Sequence, residues 1–275
     1  MRVHYQVLIF CLLVSPFSLN AQSPAPPARF VLPAFPASLY SEGPVVLPAS
    51  LPRMAPELAL QAFQERSARQ NAELAGYSAT TLIRAELPES SQHGEYELRR
   101  QYSAPRSLQF KAVRFVGDNF VKSNIITRLL QSEVDHVEKD DFANTALSPA
   151  NYKFSYKGTN SLEGRVAHVY QLKPRKKRPG LFKGRIYLDV HTGSLLRAEG
   201  SLVKSPSFFV KKIEFVQDYA DIARFTFPVH IHSEAKARLV GRAVVDIYHR
   251  DYEPVASSVR AAHIATVEAV AVSTE

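Results

Sequence analysis

The spacing of apolar residues changes twice along this chain. Residues 7–19 form an almost unbroken apolar run of about 13 residues. From about residue 55 to residue 75 the apolar positions recur at helical spacing, and beyond residue 80 they alternate with polar ones for most of the chain. Alternation with a period of two is typical of half-buried β-strands. The pattern therefore predicts an apolar leader and then a domain built from a helix and a large β-sheet.

Two amphipathic helices are predicted. The first covers residues 55–75, where Pro56 suits the first turn and Gly76 is expected to end the helix. Its apolar residues are Leu58, Leu60, Phe63, Ala68 and Leu74. The second covers residues 119–137 and carries on one side Ile125, Ile126, Leu129, Leu130 and Val134.

About ten strands are predicted around the second helix. They cover residues 80–83, 96–102 and 108–116, and then 152–157, 165–172, 182–190, 195–201, 208–219, 223–233 and 237–248. Short turns join most of them, so consecutive strands are expected to pair in an antiparallel sheet. A sheet of this size must curl or be covered to bury its apolar face. The predicted fold class is therefore α+β: a large curved antiparallel sheet, or half-barrel, with helices covering the concave face.

The leader has the features of a secretory signal peptide. Arg2 precedes the apolar run, and the run is shorter than the roughly 20 residues that a membrane-spanning helix needs. Ala21 supplies a small residue at its end, so we predict a signal peptide at 1–21 and a periplasmic or secreted protein. The alternative is an uncleaved N-terminal anchor. Cys11 lies inside the apolar run with no small residue just before it, which argues against lipid attachment there.

Export gives a first testable prediction. The protein recovered from the cell envelope should begin near Gln22 when its N-terminus is sequenced, because cleavage after Ala21 removes the apolar run. A protein that begins at Met1 and stays in the membrane fraction would contradict it.

Three further segments follow the signal peptide. Residues 22–54 contain repeated prolines and are predicted to be an extended linker. The alternative is that part of it, with Phe30, Val31, Leu32 and Phe35, lies on the folded domain. The half-barrel domain is predicted at 55–252, and residues 253–275 are predicted to form a flexible tail.

Composition limits what can stabilise and bind the mature chain. Cys11 is the only cysteine, so no disulfide is expected after cleavage, and an ordinary apolar core must hold the fold. Loss of Arg2 lowers the formal charge from +8 to +7, with 33 basic against 26 acidic residues. This excess favours anionic surfaces. In an exported protein these are lipid or other envelope components, so nucleic acid is not expected as a partner.

Several segments resemble one known family. They read GRVAHVYQLKP at 164–174, GRIYLD at 184–189, TG at 192–193, LRAEG at 196–200 and FTFPV at 225–229. In these sequence segments and in the order of its elements, the chain resembles the periplasmic lipoprotein-carrier superfamily, the LolA/LolB-like half-barrel proteins. The resemblance covers roughly residues 55–250. The resemblance implies the half-barrel fold and an apolar concave face.

The residues of that face can be read from strand parity. Along one strand Phe225, Phe227, Val229 and Ile231 alternate with Arg224, Thr226, His230 and His232. Similar alternation elsewhere gives a set of candidate ligand-binding residues: Phe154, Ile186, Leu188, Phe209, Ile213, Phe215, Phe225, Phe227 and Val229.

Two interpretations of this face remain open. Either the helices cover it incompletely and leave a cavity for acyl chains, or its residues only pack the helices against the sheet. The first predicts a periplasmic carrier that holds a lipidic or lipoprotein acyl group. The second predicts a non-enzymatic structural or sensory envelope protein with a filled core that binds a protein partner.

Catalytic signals are weak. His230 and His232 lie on one face of a strand and offer two metal ligands, but no third ligand is identifiable, and a solvated strand face explains them better. The Ser-x-x-Lys patterns at 201–204 and 233–236 fall in predicted strands or turns, whereas that enzyme motif needs its serine at the start of a helix. We therefore predict neither an enzyme nor a cofactor or metal site.

The concentrated positive charge lies at 173–185. Arg175, Lys176, Lys177 and Arg178 stand between two prolines and are predicted to form a surface for an anionic membrane or an envelope protein. The alternative is a hairpin tip that only aids solubility. In the membrane interpretation, Leu181 and Phe182 beside the charges are candidates for insertion into the lipid.

Overall fold

A computed structural model describes residues 52–139, 142–204, 210–237 and 241–257. The predicted signal peptide, nearly all of the predicted linker, Phe209 and most of the predicted tail lie outside the described residues. No helix in the described parts of the chain is long and apolar enough to cross a membrane.

The first helix, α1, spans Pro56–Glu73 and has its proline in the first turn, as expected. It ends before Gly76, because the first strand begins directly at Leu74. Gly76 lies inside that strand, where a Cβ would be 2.6 Å from the carbonyl oxygen of Tyr102 on the neighbouring strand. The prediction that Gly76 stops the helix was wrong: the glycine permits two strands to approach closely.

The second helical region agrees with the prediction in extent. It consists of α2 (Asn119–Val121), a π-helical stretch (Lys122–Ile126) and α3 (Thr127–Glu138), which follow one another without a break. A short helix, α4 (Phe142–Thr145), comes next.

The predicted α+β class with one large antiparallel sheet is confirmed. The strands are β1 (Leu74–Leu87), β2 (Gln92–Ser103), β3 (Ser107–Gly117), β4 (Tyr152–Leu162), β5 (Arg165–Pro174), β6 (Phe182–Asp189), β7 (Leu195–Leu202), β8 (Val210–Ile222), β9 (Phe225–Ala237) and β10 (Gly241–Ala256). Their order is β3-β2-β1-β10-β9-β8-β7-β6-β5-β4, and each neighbouring pair is antiparallel. The sheet is curved and is not closed into a barrel, since β3 and β4 remain as its two edges.

The last strand runs beyond the predicted start of the tail. Residues 253–256 pair with the first residues of β1, in the order Ser78 with Glu253 to Leu74 with Ala256. Backbone hydrogen bonds to β1 therefore hold this segment in the sheet, although its side-chain composition suggested a tail.

The helices divide the covered face of the sheet into two main apolar clusters. The α1 cluster joins Phe63 to strands β4–β8 and contains Phe63, Leu147, Tyr152, Tyr170, Leu172, Leu181, Phe182, Ile186, Leu188, Leu195, Ala198, Phe215 and Tyr219. The α3 cluster joins Val121, Ile125, Ile126 and Leu129 to strands β1, β2, β8, β9 and β10.

Candidate functional site

Of the two main clusters, the α1 cluster is the one with buried aromatic side chains. Ile186, Leu188 and Phe215 of the predicted ligand-binding set belong to it, and Phe154 packs against its margin. Phe63 is the only large apolar side chain that α1 buries completely; the helix's other buried residues are Ala59 and Gln70. A wide apolar surface of the sheet is thus covered by a helix whose large apolar contacts to the cluster are Phe63 and the partly buried Leu60.

Packing in this cluster is close. Phe63, Ile186 and Leu188 are each 0% exposed. A side chain with no surface open to a water molecule adjoins no water-sized space. At these positions the structure therefore shows a covered, closely packed face and not an open cavity.

One end of α1 is fitted against the turn between β6 and β7. A Cβ on Gly193 would lie 2.8 Å from both the carbonyl oxygen of Ala59 and the Cβ of Ala62, so glycine is needed for the helix to approach. Asp189 fixes this turn by accepting hydrogen bonds from the backbone N–H groups of His191 and Thr192, at 2.9 and 3.0 Å. Although burial alone raises the pKa of Asp189, these bonds and Arg165 lower it below its ordinary value.

The other half of α1 is held by polar contacts. The Gln70 side chain both donates to the carbonyl oxygen of Thr226 and accepts from its N–H, at 3.0 and 2.8 Å. Arg66 forms a 2.8 Å ion pair with Asp221, which also accepts hydrogen bonds from Ser194 and Thr226. Polar contacts and the Gly193 fit therefore act together with the buried Phe63 to hold α1 on the sheet.

The remaining predicted ligand-binding residues lie elsewhere. Ile213 belongs to the α3 cluster. Phe225 and Phe227 pack with Leu74, Tyr77 and Tyr252 in a third cluster. The expected strict alternation along β9 is broken, because a register shift separates the pairs Asp218–His230 and Tyr219–Pro228 and leaves residue 229 between them. Val229 is consequently half-buried, while the predicted polar-face residue Thr226 is buried.

A buried ion pair is the main feature that sequence reasoning missed. Arg100 on β2 donates to Glu133 on α3 at 2.7 Å, and their side chains are 2% and 4% exposed. Burial alone lowers the pKa of Arg100, but the charge of Glu133 raises it above its ordinary value. Burial raises the pKa of Glu133, and Arg100 opposes that rise. A signal existed: Arg100 alternates with Leu98 and Tyr102, and Glu133 lies four residues from both Leu129 and Val137.

The predicted histidine pair does lie on one strand face. Asp246 on β10 accepts hydrogen bonds through Oδ1 from His230 Nε2 at 3.0 Å and from His232 Nδ1 at 2.9 Å. His230 also stacks on Tyr248, with ring centroids 4.6 Å apart. Within the described ranges no group of three or more His, Cys, Asp or Glu side chains is arranged to hold a metal ion.

The basic segment forms the connection between β5 and β6. Arg175 donates to the carbonyl oxygen of Pro149 at 2.7 Å and Arg178 to the Asn144 side chain at 2.9 Å, while Lys176 and Lys177 are exposed. Leu181 and Phe182 are only 1% and 0% exposed, because both belong to the α1 cluster. The expectation that they could insert into lipid was therefore wrong.

Comparisons with known proteins find distant structural similarity alone. No protein-family model matches the sequence, and no curated protein matches it. Similar solved structures include a putative outer membrane lipoprotein-sorting protein domain from Vibrio parahaemolyticus, at 14% identity and a TM-score of 0.38 over 72% of this chain and 92% of that one. A DUF1329 family protein from Desulfovibrio piger has 9% identity and a TM-score of 0.36, over 72% and 90%. A LolA superfamily protein from Nitrosomonas europaea has 10% identity and a TM-score of 0.33, over 72% and 92%.

Proposed function

We propose that this chain is an exported, non-enzymatic binding protein that holds a lipidic or lipoprotein acyl group against the face covered by α1. In the closed state α1 occupies this face. Acyl chains bind when the helix moves away and they replace Phe63 against the apolar strands. Ile186, Leu188, Phe215 and Phe154 then contact the chains.

The observation that carries this proposal is the imbalance between α1 and the surface beneath it. Nine large aliphatic or aromatic side chains of the α1 cluster lie on strands β4–β8, whereas α1 contributes Phe63 and the partly buried Leu60. Burial of apolar surface contributes roughly 25 cal/mol per Å². Acyl chains have more apolar surface than Phe63 and can compensate for the polar contacts that α1 loses.

The alternative is that α1 never leaves, and that the protein is a structural or sensory envelope component that binds a protein partner. The close packing around Ile186 and Leu188 is the observation that favours it. The two functions differ in whether displacement of α1 promotes acyl binding.

A Gly193→Ala variant tests the proposed function. Its new methyl group meets Ala59 and Ala62 and should push α1 outward. Overpacking of this kind costs about 1–3 kcal/mol. Because a smaller closed population raises the apparent affinity, binding of a fluorescent phosphatidylglycerol by the mature chain should become about tenfold tighter.

Gly164→Ala is the matched control. Gly164 also has a positive φ of 82°, against 66° for Gly193, but a Cβ there would meet nothing within 4 Å. Both variants carry the backbone strain of alanine in the left-handed region, and only Gly193→Ala displaces α1. Absence of probe binding to the wild-type protein, or equal affinity of all three proteins, would favour the filled-core alternative.

We further propose that the basic segment 175–178 brings the protein to an anionic membrane. Lys153 and Lys173 lie directly opposite each other on β4 and β5, next to this segment. Like charges in such a pair repel each other, and an anionic surface relieves the repulsion. Each basic residue near a charged membrane contributes roughly 1 kcal/mol.

Changing Arg175, Lys176, Lys177 and Arg178 to Ser should weaken co-sedimentation with phosphatidylglycerol vesicles and leave the melting temperature nearly unchanged, because the segment is largely exposed. Wild-type binding should fade as the Debye length falls from about 10 Å at 0.1 M salt to about 3 Å at 1 M.

Two half-variants separate charge from local structure. One half-variant carries Lys176→Ser and Lys177→Ser, and the other carries Arg175→Ser and Arg178→Ser. Each removes two positive charges, but only the second also loses hydrogen bonds to the protein. Electrostatic docking predicts the same loss of binding in both. Equal sedimentation of the wild type and the fourfold variant at low salt would leave the solubilising-tip interpretation.

A further inference from the structure

Between the α1 and α3 clusters lies a set of buried polar side chains that neither cluster explains. We call Gln217, His249 and Arg100 the central polar band. Gln217 on β8 is 0% exposed and pairs with Ala198 of the α1 cluster on one side and Ile231 of the α3 cluster on the other. His249 on β10 and Arg100 on β2 are 5% and 2% exposed. β9 separates Gln217 from the strand of His249, and β1 separates that strand from Arg100.

Each member of the band has an unused hydrogen-bonding atom. Arg100 donates through Nη1 to Glu133 and through Nε to the Tyr77 hydroxyl, and its Nη2 has no partner. His249 Nδ1 lies 2.9 Å from the Thr81 hydroxyl, and its Nε2 has no partner. Neither amide atom of Gln217 has one. No hydrogen-bond partner for these four atoms lies among residues 52–139, 142–204, 210–237 and 241–257.

Such atoms are costly in a protein interior. Each buried polar group without a partner costs about 1–3 kcal/mol. A leucine at position 217 would fill a similar volume between Ala198 and Ile231 without that cost. The amide of Gln217 therefore points to a polar partner other than the described residues.

The charge of the band limits which chemical groups can bind to it. The charge of Arg100 is already balanced by Glu133. Burial and the nearby Arg100 hold the pKa of His249 well below its ordinary value, so this imidazole is neutral. A free carboxylate would bring an unbalanced charge into this interior, which is strongly unfavourable. A neutral acceptor such as an ester or amide carbonyl fits the unused N–H groups of Arg100 and Gln217 without that penalty.

We infer that the central polar band binds the ester or amide carbonyl groups of the acylated ligand, while the acyl chains lie on the adjoining α1 cluster. This inference rests on the proposed function. Gln217 is the first member that the ligand reaches, because it shares its strand face with Phe215 and Tyr219 of that cluster. The ligand class is thus an ester- or amide-linked acyl group in preference to a free fatty acid.

Two matched lipids test the inference on the full mature chain. They are phosphatidylcholines with the same chains and the same fluorophore, one ester-linked and the other ether-linked, so that only the carbonyl groups differ. The wild-type protein should bind the ester lipid about tenfold more tightly, as expected for a hydrogen bond to a buried donor. Gln217→Leu should abolish this preference and raise the melting temperature, since it removes two unpartnered atoms. Ile247→Leu, which is equally buried but lies in the α3 cluster, should keep the preference.

The outcomes separate this inference from the proposed function. Equal affinity of the wild-type protein for the two lipids would overturn the inference and leave acyl binding in place. A Gln217→Leu protein that keeps the preference, or that is less stable than wild type, would also overturn it, because Gln217 would then serve the fold alone. Failure of both lipids to bind would overturn the proposed function and the inference together.

Discussion

Replacing Glu133 by Gln should lower the free energy of unfolding by about 3–5 kcal/mol, because it leaves Arg100 as an uncompensated charge in the protein interior. The two side chains are almost fully buried and are joined at 2.7 Å. Urea denaturation at neutral pH, with the m-value compared between the two proteins, measures the loss.

Two controls make this result specific. Glu234→Gln breaks an ion pair with Arg242 in which both side chains are at least 40% exposed, and it should cost less than about 1 kcal/mol. The double variant Arg100→Met with Glu133→Leu removes both charges and should recover most of the stability, since apolar residues of similar size often replace a buried pair without loss. An equally small effect of the two single Gln variants would contradict the buried pair.

Replacing Phe227 by Ala should also cost about 3–5 kcal/mol, as for a large side chain deleted from a packed core. The Phe227 ring is 3% exposed. It stacks on Tyr252 at a centroid distance of 4.4 Å and meets the edge of Tyr77 at 5.2 Å. Because this cluster is separate from the α1 cluster, the affinity for an acyl probe should change little in those molecules that remain folded.

The control variant for Phe227→Ala is Val116→Ala on the edge strand β3, where the side chain is 51% exposed. It should change stability by no more than about 0.5 kcal/mol. If Phe227→Ala instead lowers acyl binding while stability falls by less than about 1 kcal/mol, the ring lines a ligand site, as the sequence suggested.

Gly76, Leu181 and Phe182 differ from their predicted roles for one physical reason. Gly76 resembled a helix stop because the sequence does not show that β1 begins at once and that its neighbour approaches at Tyr102. Leu181 and Phe182 stand beside four basic residues and resembled a membrane tip, yet they fold back onto Tyr152 and the α1 cluster. In each case contact with a residue distant in sequence determined the outcome, and local composition does not encode that contact.

The sequence by itself determined the elements and the fold class. Period-two alternation over most of residues 80–250 gave an antiparallel sheet of ten strands, and helical spacing gave the two helices that lie on it, because side-chain direction follows directly from backbone repeat. Tertiary structure alone decided how the apolar residues are divided among the separate clusters. The register shift at Val229, the fit of α1 at Gly193 and the pairing of Arg100 with Glu133 all depend on which strands and helices meet. Those contacts join positions far apart in the chain, so they distribute the predicted apolar face into separate clusters with a polar band between two of them.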